Sequence, residues 1–160
     1  MNLLDFQAIR AERLGQSLAF FVSNTPKERL NWRPKPESES KARSILDMST
    51  ECVLVNRYMA ALLKGENPER PPAGEQSEFV IDDPEVLCQE LVSSSKELAD
   101  AISQLKEEDL DRDYPHWRGP LKGITLIEMP CRNMEYHGGQ INYIQTLYGD
   151  TEFRVPKTWR

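Results

Sequence analysis

Apolar residues recur at alternating intervals of three and four along this chain, and that rhythm leaves few folds open to it. Between residues 42 and 64, Ile45, Met48, Cys52, Val55, Met59 and Leu62 follow the alternation without a break. Between 126 and 148, Ile127, Pro130, Met134, His137, Ile141, Ile144 and Tyr148 do the same. The segment 3–23 carries Ala11, Leu14, Leu18 and Phe21, and the segment 84–107 carries Leu87, Leu91, Leu98, Ile102 and Leu105. An α-helix turns once per about 3.6 residues, so each set forms one stripe along a helix. A single stripe can be buried only against other helices when no strand pattern exists, and no stretch shows sustained period-two alternation. The expected fold is all-α, a four-helix bundle with long loops.

Local signals punctuate the stripes. Asp83-Pro84-Glu85 combines an N-cap acid, a proline at the first helical position and an acid in the first turn. Thr125 and Glu128 are spaced as a capping box for the last helix. Gly65 and Gly149 stand where the second and fourth helices should stop. Pro26 closes the first helix or opens a short turn through Lys27–Leu30. Pro130, inside the fourth helical pattern, should bend that helix or tighten its first turns. The connections at 31–42, 66–79 and 111–123 are rich in proline, glycine and charge, and predict at least one crossover. A chain of 160 residues suits one domain, 1–160.

Composition excludes several roles. Hydrophobic residues make up 39% and charged residues 29%, an ordinary balance for a soluble globular protein. No apolar run approaches the roughly 18 residues of a membrane span, and MNLLDFQAIRAER lacks the basic lead and cleavage site of a signal peptide. The net charge is −6, with lysines and arginines scattered among acids, so no basic stripe awaits a nucleic acid. Cys52, Cys88 and Cys131 are odd in number and widely spaced, which argues against a disulfide framework and for a reducing cytoplasm.

Two residues break the inward pattern. His137 occupies a stripe position between Met134 and Ile141, with Asn133 and Gln140 on the same flank. It reads either as a buried histidine satisfied by one of those amides or as a metal ligand or general base. Glu51 lies beside Met48, Cys52 and Val55 at the edge of the second stripe. A carboxylate there must be solvated, bound to a metal, or paired with a base such as Arg57 or Arg132. His116 reads as an exposed loop histidine beside an aromatic anchor. Trp32 and Trp117 read as caps over the bundle ends, and Cys52 and Cys131 as structural thiols without an activating base. Tyr136, Tyr143 and Tyr148 run along the fourth helix and could border a pocket, a dimer face or the core edge.

The segment EYHGGQINYIQTLYGD, Glu135 to Asp150, resembles the H-x-G-Q signature of the DinB/YfiT-like family. His137 matches the histidine of that signature, and Gly139 and Gln140 match its Gly-Gln. SILDMSTEC resembles the second-helix stretch that carries a further histidine, and LNWRP, Leu30 to Pro34, resembles the turn after the first helix. The resemblance implies an up-down-down-up bundle, usually a homodimer, with a divalent metal such as zinc or nickel held between the second and fourth helices. It places the metal-ligand positions at Glu51, Asn133 and His137, where this chain has replaced two of the three histidines by a carboxylate and an amide. One imidazole with two oxygen donors suits harder ions than three imidazoles do. Some relatives act on small molecules with a low-molecular-weight thiol, so a thiol-dependent transferase or hydrolase is the enzymatic reading. The alternative is a non-catalytic bundle that binds a small ligand or a protein partner. The resemblance also makes a prediction about assembly: sedimentation at micromolar concentration should give twice the chain mass. A monomer that persists at higher concentration would contradict it.

Overall fold

The computed structural model describes residues 1–34, 42–70, 79–152 and 154–157. Parts of two expected loops, at 35–41 and 71–78, and parts of the expected surface tail, at 153 and 158–160, lie outside the described residues. Among the described residues four α-helices dominate: α1 at Leu3–Ser23, α2 at Ile45–Leu63, α3 at Pro84–Ser103 and α4 at Gly123–Leu147. Short 3-10 turns at Lys27–Arg29 and Glu107–Leu110 follow α1 and α3. A two-residue antiparallel pair, β1 (Asp113–Tyr114) with β2 (Leu121–Lys122), closes the connection into α4. None of these helices is long and apolar enough to cross a membrane.

Helix direction follows from the hydrogen bonds between elements. The Gln7 amide donates to the Ile127 carbonyl at 2.8 Å, Arg10 pairs with Glu135, and Gln145 donates to Thr25 at 2.9 Å, so α1 and α4 run parallel. The Cys88 thiol reaches the Ala19 carbonyl at 3.4 Å, while Ser95 lies under Gly15, so α3 runs against α1. Asn56 meets Ser94, and the backbone N–H of Ile81 donates to Thr50 at 3.0 Å, so α2 and α3 are parallel. Cys52 faces Asn133 and Glu51 faces His137, which sets α2 against α4. The order around the bundle is α1, α3, α2, α4, and the directions are up, down, down, up. Parallel neighbours such as α2 and α3 cannot be joined by a tight turn, which explains the long connection between them.

The expected stripes form the core. Ile45, Met48, Cys52, Met59 and Leu62 are buried in α2, and Leu87, Leu91, Leu98 and Ile102 in α3. Val55 is the exception in α2, half-buried rather than sealed. The small residues matter equally at one crossing. A Cβ added at Gly15 would sit 2.0 Å from Ser95 Oγ and 2.7 Å from the Leu91 carbonyl oxygen, so α1 and α3 approach closer than any larger side chain permits.

Three boundaries differ from the sequence expectation. α2 starts at Ile45 rather than 42, because Ser44 and Asp47 form a reciprocal capping box. α3 ends at Ser103 rather than 107, where the chain turns into the Glu107–Leu110 turn and Lys106 N–H meets the Asp109 carboxylate at 2.9 Å. The Thr125–Glu128 capping box does not form. α4 begins at Gly123, directly from β2, and Gly123 N–H donates to the Arg112 carbonyl at 3.0 Å. A Cβ on Gly123 would lie 2.1 Å from the Asp109 carbonyl oxygen, so the turn after α3 decides where α4 starts. Pro130 is buried within α4, as its place in the stripe requires.

The close crossing gives a matched pair of variants. Gly15→Ala should lower unfolding stability by about 1–3 kcal/mol, since the added methyl has no space. Gly139→Ala has nothing within 4 Å to meet and should raise stability by about 0.5–1 kcal/mol through helix propensity. Urea unfolding of the two variants reads both; a neutral Gly15→Ala would contradict the close approach of α1 and α3.

Candidate functional site

The site begins with the capping of α2. Asp47 accepts from the Ser44 backbone N–H at 2.7 Å, and Ser44 Oγ accepts from Asp47 N–H at 3.2 Å. Arg33 then binds the Asp47 carboxylate at 2.6 Å and donates to the Ala42 carbonyl at 2.8 Å. Arg43 donates to the Asp47 carbonyl at 2.9 Å, and its other arm meets Glu51 Oε2. Glu51 lies four residues beyond Asp47 on the same helical face, so the loop arginine reaches it directly.

From the opposite wall α4 delivers His137, which is only 4% exposed. Its Nε2 stands 3.4 Å from Glu51 Oε1, and its Nδ1 lies 2.7 Å from Gln140 Oε1. Nε2 must carry the proton that the carboxylate accepts. Nδ1 meets an amide that can present its oxygen or, turned over, its NH2. Burial pushes the Glu51 carboxyl up, but the hydrogen bond from His137 and the charge of Arg43 more than offset that, and its pKa falls below the ordinary range. The result is a continuous polar row, Arg43–Glu51–His137–Gln140, across the α2–α4 interface.

Asn133, the third expected donor, is not part of that row: its side-chain NH2 donates to Cys52 Sγ at 3.8 Å. Neither of the bases considered from sequence pairs with Glu51. Arg57 binds Glu90 on α3, and Arg132 lies 3.6 Å from Glu128 on its own helix. Arg43 takes their place, and a loop residue ahead of a helix has no periodicity that could have marked it. Burial raises the Cys52 thiol far above its usual value, mainly by desolvation, and raises Cys131 to about 12. Neither thiol is a nucleophile at neutral pH.

Two cavities flank the row. The larger, about 510 Å³, lies between α2, α4 and the β1–β2 connection. Glu51, Val55, Met59, Met129 and Asn133 line its inner part. The second, about 430 Å³, opens on the other side, with Arg43, His137 and Gln140 in its wall. Tyr136 borders both cavities. His116 is half-buried rather than exposed, with its ring 5.9 Å from Tyr58 and 5.5 Å from Trp117. Trp117 is 45% exposed and lines the larger cavity, whereas Trp32 packs edge-on against Tyr148 at 6.0 Å. The cavity role of Trp117 has no signal in its sequence neighbourhood, since a loop tryptophan reads the same over a core or over a pocket.

Comparison with known proteins places the family and the fold. A family model of the DinB superfamily matches residues 10–141, and the chain belongs to that superfamily. A conserved protein from Enterococcus faecalis, known from its crystal structure, superposes with a TM-score of 0.72 at 15% identity, covering 92% of this chain and 97% of that one. A DinB-like protein from Bacillus subtilis superposes with a TM-score of 0.63 at 15% identity, covering 96% and 97%. These two likenesses establish the four-helix fold. No curated protein matches the chain.

The metal that the family resemblance implies can be tested against the donors present. Glu51 has one oxygen on Arg43 and the other facing His137, so its charge already has a fixed cation beside it. The Asn133 amide, whose NH2 donates to Cys52, offers at most a neutral oxygen, and no three His, Cys, Asp or Glu side chains converge among the described residues. As arranged, the set does not fit a divalent ion, because a dication would stand against the Arg43 guanidinium with only one anionic ligand.

The depressed Glu51 pKa predicts a pH signature. Its contribution to stability is complete above the unfolded-state value, about 4.3 for glutamate, and is lost as pH falls through the lower folded-state value. Wild type should therefore exceed Glu51→Gln in melting temperature at neutral pH, and the gap should shrink once pH drops below the carboxylate range. A gap of constant size down to about pH 3 would show that Glu51 is not held as an anion in the native state.

Proposed function

We propose that this DinB-superfamily protein binds a small molecule in the cavity between α2, α4 and the β1–β2 connection, with Glu51, backed by His137, as the polar group that meets it and without a resident metal. The observation that carries the reading is the floor of that cavity. A carboxylate held ionised by Arg43 and His137 lies at the edge of about 510 Å³ of otherwise largely apolar space. Binding sites of small molecules have this character: concave, mostly apolar and of some 300–1,000 Å³, with a few fixed polar groups. Glu51 accepts hydrogen bonds there, and His137, through Nε2, keeps its carboxylate from turning.

The test combines ligand screening with elemental analysis. A small-molecule panel should contain compounds that raise the melting temperature of the wild type, and Glu51→Gln should remove the shift. Untagged protein should carry no stoichiometric transition metal. Stoichiometric zinc or nickel that disappears in His137→Ala would replace this reading with a metal centre.

A further inference from the structure

The rim of the larger cavity carries a charge pattern at odds with the rest of the molecule. The chain as a whole is acidic, at −6. Among the described residues three arginines, Arg70, Arg118 and Arg132, nevertheless line this cavity with a single acid, Glu51, whose charge Arg43 already balances. Arg132 has only a 3.6 Å contact with Glu128, at an exposed surface. Arg70 and Arg118 have no carboxylate partner among the described residues. Both lie over the Trp117 ring instead, at 3.8 and 4.4 Å from its centre. Two guanidinium groups over one indole repel each other, and no carboxylate among the described residues pairs with either.

The connection that carries Trp117 and Arg118 is held by its own hydrogen bonds. The β1–β2 pair closes the connection, with Lys122 bound to Asp113 at 2.9 Å across it. Gly119 N–H donates to the His116 carbonyl at 2.9 Å, and Gly119 takes φ +105°, a conformation that side chains disfavour. Arg118 N–H donates to His116 Nδ1 at 3.2 Å, and burial together with the Arg118 charge lowers the His116 pKa. The imidazole is thereby kept neutral as an acceptor, so it adds no charge of its own to the rim. Behind the arginines the walls are Val55, Tyr58, Met59 and Met129.

Resting on the ligand-binding reading above, we infer that the ligand of this cavity is a small amphiphilic anion, an organic carboxylate with a flat apolar body. The body lies against Met59, Met129 and the Tyr58 ring. The carboxylate lies at the rim, where Arg118 and Arg132 donate to it and Arg70 adds charge. Glu51 sits at the far end and meets a donor on the body of the ligand rather than its anionic group, since two carboxylates would repel. Guanidinium–carboxylate pairs are charge-assisted and can be bidentate, which suits this rim better than an uncharged polar group would.

The test uses cinnamate and its uncharged twin, cinnamamide, titrated calorimetrically into the full chain at low ionic strength. Cinnamate should bind about 10-fold or more tighter than cinnamamide, the scale of one charge-assisted hydrogen bond. Arg118→Gln and Arg132→Gln should each weaken cinnamate several-fold and leave cinnamamide unchanged, and added salt should reduce the difference between the probes. Unaltered helical circular dichroism would show that both variants remain folded. Equal binding of the two probes, or insensitivity of cinnamate to both arginine variants, would overturn the anion inference and leave the small-molecule reading standing. Binding of neither probe at millimolar concentration would overturn the inference and count against that reading as well.

Discussion

A carboxylate faces an imidazole in the α2–α4 interface, and much of the surrounding arrangement exists to make that tolerable. An ionised Glu51 without partners would be costly so close to a core of leucine, isoleucine and methionine. Arg43 and His137 supply the partners from two different elements. Arg43 can do so only because its other arm is fixed on the Asp47 carbonyl at the first turn of α2, and Asp47 in turn holds Ser44 and Arg33. The start of α2 is also held to the end of the turn after α1, where the Leu46 N–H donates to the Leu30 carbonyl at 3.2 Å. Capping, loop path and buried charge therefore form one linked arrangement. A change at Asp47 or Arg33 would be felt at His137, although neither touches it.

The bundle makes room for the cavity by unequal packing. On one side, Gly15 lets α1 settle onto Ser95 and the backbone of α3. On the other, half-buried Val55 in α2 and Met129 in α4 leave space where a sealed stripe would have filled it. The β1–β2 connection roofs that space with Trp117 and Arg118, and Arg70 from the segment after α2 lies over the same indole. One bundle thus combines a close helix contact at α1–α3 with an open one at α2–α4.

How much was legible in the residues depended on the kind of signal. The α2 and α4 stripes marked their helices to within a few residues, because burial on one face imposes its own period. His137 stood out for the same reason, as a polar residue at an apolar position, and Glu51 stood out beside it. The capping box at Thr125–Glu128 was a false sign: local spacing allowed it, but Gly123 packed against Asp109 and the helix started earlier. Ser44–Asp47 was an equally good local signal and did form. Nothing local separates the two cases. Arg43 as the partner of Glu51, and Arg70, Arg118 and Trp117 as one cluster, depend on where loops travel, and loops carry no period to read.

By itself, then, the sequence determined four helices, which of their faces turn inward, and the two polar residues that interrupt those faces. These are consequences of helical geometry and of the cost of exposing apolar surface, both of which act residue by residue along the chain. Only the tertiary structure decided that Glu51 and His137 stand 3.4 Å apart, that Asn133 turns to Cys52, and that an acidic protein gathers arginines at one cavity rim. Those outcomes rest on distances between residues far apart in the chain. Such distances are set by how closely helices pack and where connections cross, quantities that no local pattern encodes.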